Sequence, residues 1–95
     1  GLEIAYELAG VLLATERPAE ALELARQVLE AGERRLPEGD YDLARARLRL
    51  ALALRATGRG DEGRAQAERA RAALEGARGA DDPTARYAAD ELADW

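Results

Sequence analysis

The sequence repeats at an offset of 42 residues, and this repeat constrains the possible folds more than any other feature. The segment ATER at residues 14–17 returns as ATGR at residues 56–59. At the same offset, the Leu-Ala pair at residues 8–9 returns at 50–51 and again at 92–93. Stacked structural units produce such a period, because each unit can bury its apolar face only against its neighbours. Chance self-similarity is the alternative, since Ala makes up about a quarter of the chain.

Apolar residues recur at intervals of three and four in five segments, which predicts five amphipathic α-helices. Turn residues separate these segments, and Pro18 and Pro83 suit the first position of a helix. Asp40 and Asp82 are placed to cap the helices that follow them. The predicted helices cover residues 2–15, 19–36, 42–57, 61–76 and 83–95. In the first helix, the expected buried stripe consists of Ala5, Leu8, Ala9 and Leu12, with Ile4 beside it.

The central segment contains LRLALAL at residues 48–54, which alternates with the period of two that is typical of a half-buried strand. Leu, Arg and Ala are strong helix formers, and the segment has no β-branched residue before Thr57, so a helix is favoured. Such a helix has two apolar faces. One face consists of Leu43, Arg47, Leu50, Ala51 and Leu54, and the other places Leu48 and Leu52 beside Arg45, Arg49 and Arg55.

The fourth predicted helix is poor in large apolar residues. Its buried stripe consists of Ala67, Ala70 and Leu74, and Gly63 inside it costs roughly 1 kcal/mol relative to Ala. We therefore expect this hairpin to open most easily and to need another helix or a second subunit for full stability. Small residues at the predicted helix crossings, such as Ala9, allow neighbouring helices to approach closely.

The composition removes most of the groups that catalysis uses. The chain lacks His, Cys, Ser and Lys, and with them the usual nucleophiles, general bases and thiolate metal ligands. The acid pairs Asp40/Asp42 and Asp81/Asp82 lie at predicted helix starts, where a carboxylate favours the helix dipole. We therefore expect no catalysis, no cofactor and no metal site. A formal net charge of −5 disfavours nucleic acid as a partner, and no apolar run approaches the ~20 residues of a membrane span.

At the repeated positions the sequence resembles the tetratricopeptide repeat family, in particular its longer-period, kinesin-light-chain-like variety. The Leu-Ala pairs match the family's Leu-Gly pair, and Leu12 and Leu54 take its Tyr position. ATGR followed by an acidic residue is similar to the family's turn between helices. The sequence departs from the family pattern at the Trp position, which is occupied by Ala5, Arg47 and Ala89.

The resemblance implies an all-α fold in one domain, a right-handed array of antiparallel helix hairpins (α-solenoid). Repeat 1 would cover about residues 2–40, repeat 2 about 41–81, and a terminal helix about 83–95. A HEAT-like or unclassified hairpin array of similar repeat length is the alternative. Because the chain opens with Gly1 and not Met, we expect it to be part of a longer protein. Its biased composition suggests a bacterial source, and a start without the basic region of a signal peptide suggests a cytoplasmic location.

In tetratricopeptide arrays the first helix of each repeat lines a concave groove for a peptide, so the resemblance implies a protein-interaction module. The implied groove residues are Tyr6, Gly10, Leu13, Arg45, Leu48, Arg49, Leu52, Arg55 and Tyr87. Leu48 and Leu52 would form an apolar floor and the arginines a basic wall, which suits a protein or peptide with apolar and acidic residues.

Two alternatives to an open groove remain at this point. Arg45 and Arg49 could instead be solvated, or could pair with Glu7, Asp90 or Glu91 across the groove. Leu48 and Leu52 could be covered by another part of the protein or by a second copy in a homodimer. In that case the chain would be a self-association or packing element of a larger bacterial regulatory protein.

Overall fold

A computed structural model describes all residues from Gly1 to Trp95 and contains five α-helices and no strand. The all-α class predicted from the sequence is therefore confirmed, and each predicted helix is present. The second helix ends earlier than predicted, because residues 34–36 form a turn in which Arg35 and Leu36 donate to the Gly32 carbonyl. The helices are α1 (Leu2–Ala14), α2 (Pro18–Glu33), α3 (Tyr41–Ala56), α4 (Gly60–Arg78) and α5 (Pro83–Ala93).

Helix α3 is the centre of the fold, and ten of its 16 residues are buried. It packs against α1 and α2 on one side and against α4 on the other, while α5 packs against α4. Its alternating leucines therefore serve two apolar clusters on different faces of one helix, which explains the period of two without a strand. Leu43, Leu50 and Leu54 join α2 in one cluster, and Leu48 and Leu52 join α4 and α5 in the other.

The 42-residue offset recurs in the geometry of the two turns that follow α1 and α3. The Thr15 hydroxyl donates to the Val11 carbonyl at 2.8 Å, and the Thr57 hydroxyl donates to the Ala53 carbonyl at 2.8 Å. The next residue has a left-handed backbone in both turns, with φ of 58° at Glu16 and 85° in the second turn. The two turns therefore have the same conformation, although the second alone uses a glycine, which adopts positive φ without strain.

The same offset relates the caps of α3 and α5. The Asp40 carboxylate accepts from the Leu43 amide at 3.0 Å, and the Asp82 carboxylate accepts from the Thr84 and Ala85 amides at 3.1 Å. Both aspartates have nearly the same extended backbone, with φ and ψ of −60° and 134° and of −58° and 133°. The predicted caps are confirmed. The 42-residue repeat is therefore present in the local backbone structure as well as in the amino-acid sequence.

Arg47 is the one buried charged residue of the core. Its guanidinium donates to Gln66 of α4 at 2.8 Å and to Glu33 of α2 at 3.0 Å. A buried charge is costly unless it is paired and hydrogen-bonded, and both conditions hold here. Arg47 thus links the two helices on either side of α3.

The buried side of α1 differs from the prediction. Ala9 and Leu12 are buried as expected, but Leu8 and Ile4 are exposed to solvent. The pattern within α1 predicted burial correctly for the residues that face α2 and α3. It failed for Leu8, because burial of that side requires a further helix that the structure does not place there.

The buried stripe of α4, which consists mainly of small residues, is closely packed against α3. Ala67, Ala70 and Leu74 are fully buried, and a Cβ atom added to Gly63 would lie 2.6 Å from the Ala51 carbonyl oxygen. The same Cβ would lie 2.8 Å from Cζ2 of Trp95, whose indole N–H donates to the Gly60 carbonyl at 2.9 Å. Gly63 therefore makes room for both the α3 backbone and the indole ring.

We expect Gly63→Ala to lower the free energy of unfolding by about 1–3 kcal/mol, because the added methyl group must displace backbone or the Trp95 ring. Gly76→Ala in the same helix is the matched control. Nothing lies within 4 Å of its added Cβ, so it should raise stability by about 0.5–1 kcal/mol. Urea unfolding followed by circular dichroism measures both, and equal effects of the two substitutions would contradict the packing of α4 on α3.

Asp82 has a second role beyond capping, because the Tyr41 hydroxyl donates to its carboxylate at 2.9 Å. This contact joins the start of α3 to the start of α5. We expect Asp82→Ala to cost about 2 kcal/mol of unfolding free energy, and Asp40→Ala, which removes a cap alone, to cost about 1 kcal/mol. Thermal and urea unfolding of the two variants test this order. The link between the two helix starts is refuted if Asp40→Ala is the more damaging change.

Candidate functional site

A cleft of about 310 Å³ lies between α1, α3 and α5. Of the nine residues that the sequence predicted to line a groove, six line this cleft. They come from three helices that are distant from one another in the chain. Its lining repeats with the 42-residue offset, since Gly10, Leu13 and Arg49 correspond to Leu52, Arg55 and Glu91. The lining residues are Gly10, Leu13, Ala14, Arg49, Leu52, Arg55, Ala56, Tyr87 and Glu91.

Arg55 is neutralised within the cleft. Its guanidinium forms an ion pair with Glu91 at 2.6 Å, and it also lies 4.3 Å from the centre of the Trp95 ring system. Both side chains are about one-third exposed, so water still reaches the pair. Glu91 therefore pairs with Arg55 and not with Arg45 or Arg49, the two arginines for which the sequence left such a pair open. It ties α5 to α3 at one end of the cleft.

Arg49 is held by neutral groups. Its Nε–H donates to the Tyr6 carbonyl at 3.0 Å, and its guanidinium carbon lies 3.8 Å from the centre of the Tyr6 ring. No Asp or Glu forms an ion pair with it. Gly10 makes room for this arrangement, because a Cβ there would lie 2.7 Å from Nη2 of Arg49. Arg49 therefore keeps its charge uncompensated by any carboxylate beside the cleft.

Arg45 stacks on the same tyrosine beside the cleft and not inside it. Its guanidinium carbon is 4.1 Å from the centre of the Tyr6 ring, and its nearest carboxylate, Asp42, is 3.5 Å away. The Arg45 side chain is 18% exposed, and its buried Nε–H has no hydrogen-bond partner. Two guanidinium groups thus share one aromatic ring, which attracts cations through its electron-rich face.

The prediction that Leu48 and Leu52 form the apolar floor of a groove is wrong for Leu48, because this residue is fully buried. It packs with Ala70 and Leu74 of α4. The reason is a volume match, because the alanine-lined α4 leaves space that the leucines of α3 fill. Leu52 is also in this cluster, and only its edge reaches the cleft. Leu48 and Leu52 are therefore covered by α4 and α5 of the same chain.

The apolar surface of the cleft is provided instead by Leu13, by the ring of Tyr87, which is 39% exposed, and by two alanines. Ala14 and Ala56 are the residues that the sequence argument missed. A signal was present, since they are related by the 42-residue offset and are the last residues of α1 and α3. Extending the repeated groove positions by one residue would have included them.

The chemistry available in the cleft is recognition of charge and apolar surface. Its lining offers two guanidinium groups, one carboxylate that is already paired, a phenol and aliphatic groups. No group of three or more His, Cys, Asp or Glu residues is arranged to hold a metal ion. None of the five helices has the length and apolar character needed to cross a bilayer.

Comparison with protein-family models, with curated proteins and with solved structures found no match to this chain. The tetratricopeptide resemblance therefore stays a prediction from the sequence pattern.

Gly10→Ala tests the packing that holds Arg49. The added methyl carbon would lie 2.7 Å from Nη2 of Arg49, which is too close for a non-bonded contact, so we expect the guanidinium to leave the Tyr6 ring. In NMR spectra the side-chain resonances of Arg49 should lose most of the upfield shift that the ring current causes. Gly39→Ala is the control, because nothing lies within 4 Å of its added Cβ. Unchanged Arg49 resonances in Gly10→Ala would show that the ring does not hold this guanidinium.

Proposed function

We propose that the chain is a non-enzymatic protein-interaction module whose cleft between α1, α3 and α5 binds a short peptide segment that carries a carboxylate. The observation that supports this most directly is Arg49, a guanidinium without a carboxylate partner beside a concave surface. Its orientation is restrained by the Tyr6 ring and by the Tyr6 carbonyl. A preorganised guanidinium fork recognises carboxylates by paired hydrogen bonds.

The apolar part of the cleft defines the rest of the ligand. Leu13 and Tyr87 border the space beside Arg49, so an aliphatic or aromatic residue next to the acidic one would complete the contact. A strongly acidic ligand is less suitable, because the chain itself carries a formal net charge of −5 and repels it at long range. One carboxylate between apolar side chains fits both conditions.

We also propose that the five helices form a right-handed array of hairpins of the tetratricopeptide kind. The repeated turns after α1 and α3 and the repeated caps of α3 and α5 support this arrangement. In such an array α1, α3 and α5 are the first helices of successive repeats, and the proposed cleft lies between these three helices.

The affinity expected for such a ligand is modest. A hydrogen bond to a charged group contributes about 1.5–3 kcal/mol net, and a cleft of about 310 Å³ accommodates only a few side chains. We therefore expect dissociation constants in the micromolar range or weaker, which is typical of transient recognition.

The proposal is tested with three fluorescein-labelled hexapeptides, which carry a single Glu flanked by Leu (the Leu-Glu peptide), a single Gln flanked by Leu, or a single Glu flanked by Ser. Fluorescence anisotropy should show binding of the Leu-Glu peptide, with the other two at least about fivefold weaker. Arg49→Gln should weaken binding of the Leu-Glu peptide about tenfold, which corresponds to about 1.4 kcal/mol. The matched control is Arg64→Gln on the exposed surface of α4, where the side chain only pairs with Glu68.

The control substitution should leave peptide affinity unchanged. Equal affinities of wild type and Arg49→Gln for the Leu-Glu peptide would refute the role assigned to the cleft. The same holds if the peptide with Gln binds as tightly as the peptide with Glu. Leu52→Arg is unsuitable as a probe, because it would place a charge in the core and unfold the protein.

A further inference from the structure

Helix α1 has an apolar stripe that nothing in the structure covers. Ile4, Leu8 and Val11 are 72%, 47% and 56% exposed, and their spacing of four and three residues places them on one face. Isolated exposed apolar residues are normal, but three large ones in a row on a helix form a patch that marks a contact surface.

The 42-residue repeat shows how the same face is used elsewhere in the chain. The residues that follow Ile4, Leu8 and Val11 by 42 positions are all buried in α3. They are Ala46, Leu50 and Ala53. The equivalent face, which carries Ala at two of the three positions, is therefore covered in the second unit, whereas the first unit leaves it exposed.

The cover of this face in α3 is α2. Ala25 and Leu29 belong to the same apolar cluster as Ala46 and Leu50, and Leu22 packs at its edge. The covering helix thus presents small and branched aliphatic residues at positions i, i+3 and i+7 of one stripe. This internal contact shows the kind of helix that covers the equivalent face of α3.

We propose that Ile4, Leu8 and Val11 form a docking surface for an amphipathic helix of a partner, with an α2-like stripe of Ala and Leu and with basic residues beside it. The charge requirement comes from Glu3 and Glu7, which are exposed, flank the stripe and form no ion pair. This surface lies outside the cleft, so the proposal is independent of peptide binding there.

A second copy of α1 is a poor occupant of this surface. The helix contains Glu3 and Glu7 and no basic residue, so a symmetric α1–α1 contact would align acids on both sides of one seam. Like charges that face each other across a helix contact are destabilising, whereas Arg or Lys on a different helix would be attracted.

The surface is tested with two synthetic helical peptides of about 18 residues, long enough to form helix when bound. Both carry Ala and Leu at the spacing of the α2 stripe, one with Arg and the other with Glu at the flanking positions. Isothermal titration at low salt should show that the Arg peptide binds at least about fivefold more tightly than the Glu peptide.

Leu8→Arg should weaken binding of the Arg peptide at least about tenfold, while helix content and unfolding midpoint stay unchanged because this side chain is already half-exposed. The matched control Ala65→Arg, on the exposed surface of α4, should bind like wild type. Binding of the Leu-Glu hexapeptide in the cleft should survive Leu8→Arg, which separates this surface from the cleft.

Three results would overturn the proposal. One is equal affinity of wild type and Leu8→Arg for the Arg peptide, and another is preference for the Glu peptide. The third is a concentration-dependent dimer in sedimentation equilibrium that Leu8→Arg converts to a monomer, since a second copy would then occupy the stripe.

Discussion

The structure depends on the fit between the leucines of α3 and the small residues of the helices around it. Leu48 fills space next to Ala70, and on the opposite side Leu50 packs with Ala25. Because helices lined with alanine approach closely, a single leucine-rich helix can be buried by its neighbours in a chain of only 95 residues. Gly63 extends the same principle by admitting the α3 backbone and the Trp95 ring at one crossing.

This packing determines where the arginines of α3 lie. Helix α3 has four arginines, and they lie on different sides of the helix. Because the two apolar clusters occupy two of its faces, each arginine has a different environment. Arg47 is enclosed between α2 and α4 and finds Glu33 and Gln66. Arg49 and Arg55 line the cleft. Arg49 donates to the Tyr6 carbonyl and forms no ion pair, whereas Arg55 forms an ion pair with Glu91. The environment of each arginine therefore depends on the neighbouring helices and not on the residue type.

The same neighbours explain why equivalent repeat positions have different properties. Leu8 and Leu50 are related by 42 residues, yet the first is half-exposed and the second is buried by α2. Gly10 and Leu52 are also equivalent, and the glycine gives room to Arg49 while the leucine joins the core. A repeat preserves backbone geometry, whereas each side chain adapts to what lies beside its own unit.

The sequence by itself determined the features that depend on local interactions. These are the five helices, the caps at Asp40 and Asp82, and the repeated turns at Thr15 and Thr57, because propensity, capping and turn chemistry act within a few residues. Six of the nine predicted groove residues lie in the cleft for the same reason, since a fixed helix phase repeats the same face.

Only the tertiary structure decided that both apolar faces of α3 are covered. The sequence resemblance placed one of these faces in an open groove, so Leu48 was expected there although α4 buries it. Likewise, pattern alone could not tell which arginine would pair with Glu91, or that Leu8 would lack a neighbour. Burial and ion pairing are properties of two surfaces in contact, so one segment's periodicity does not contain them.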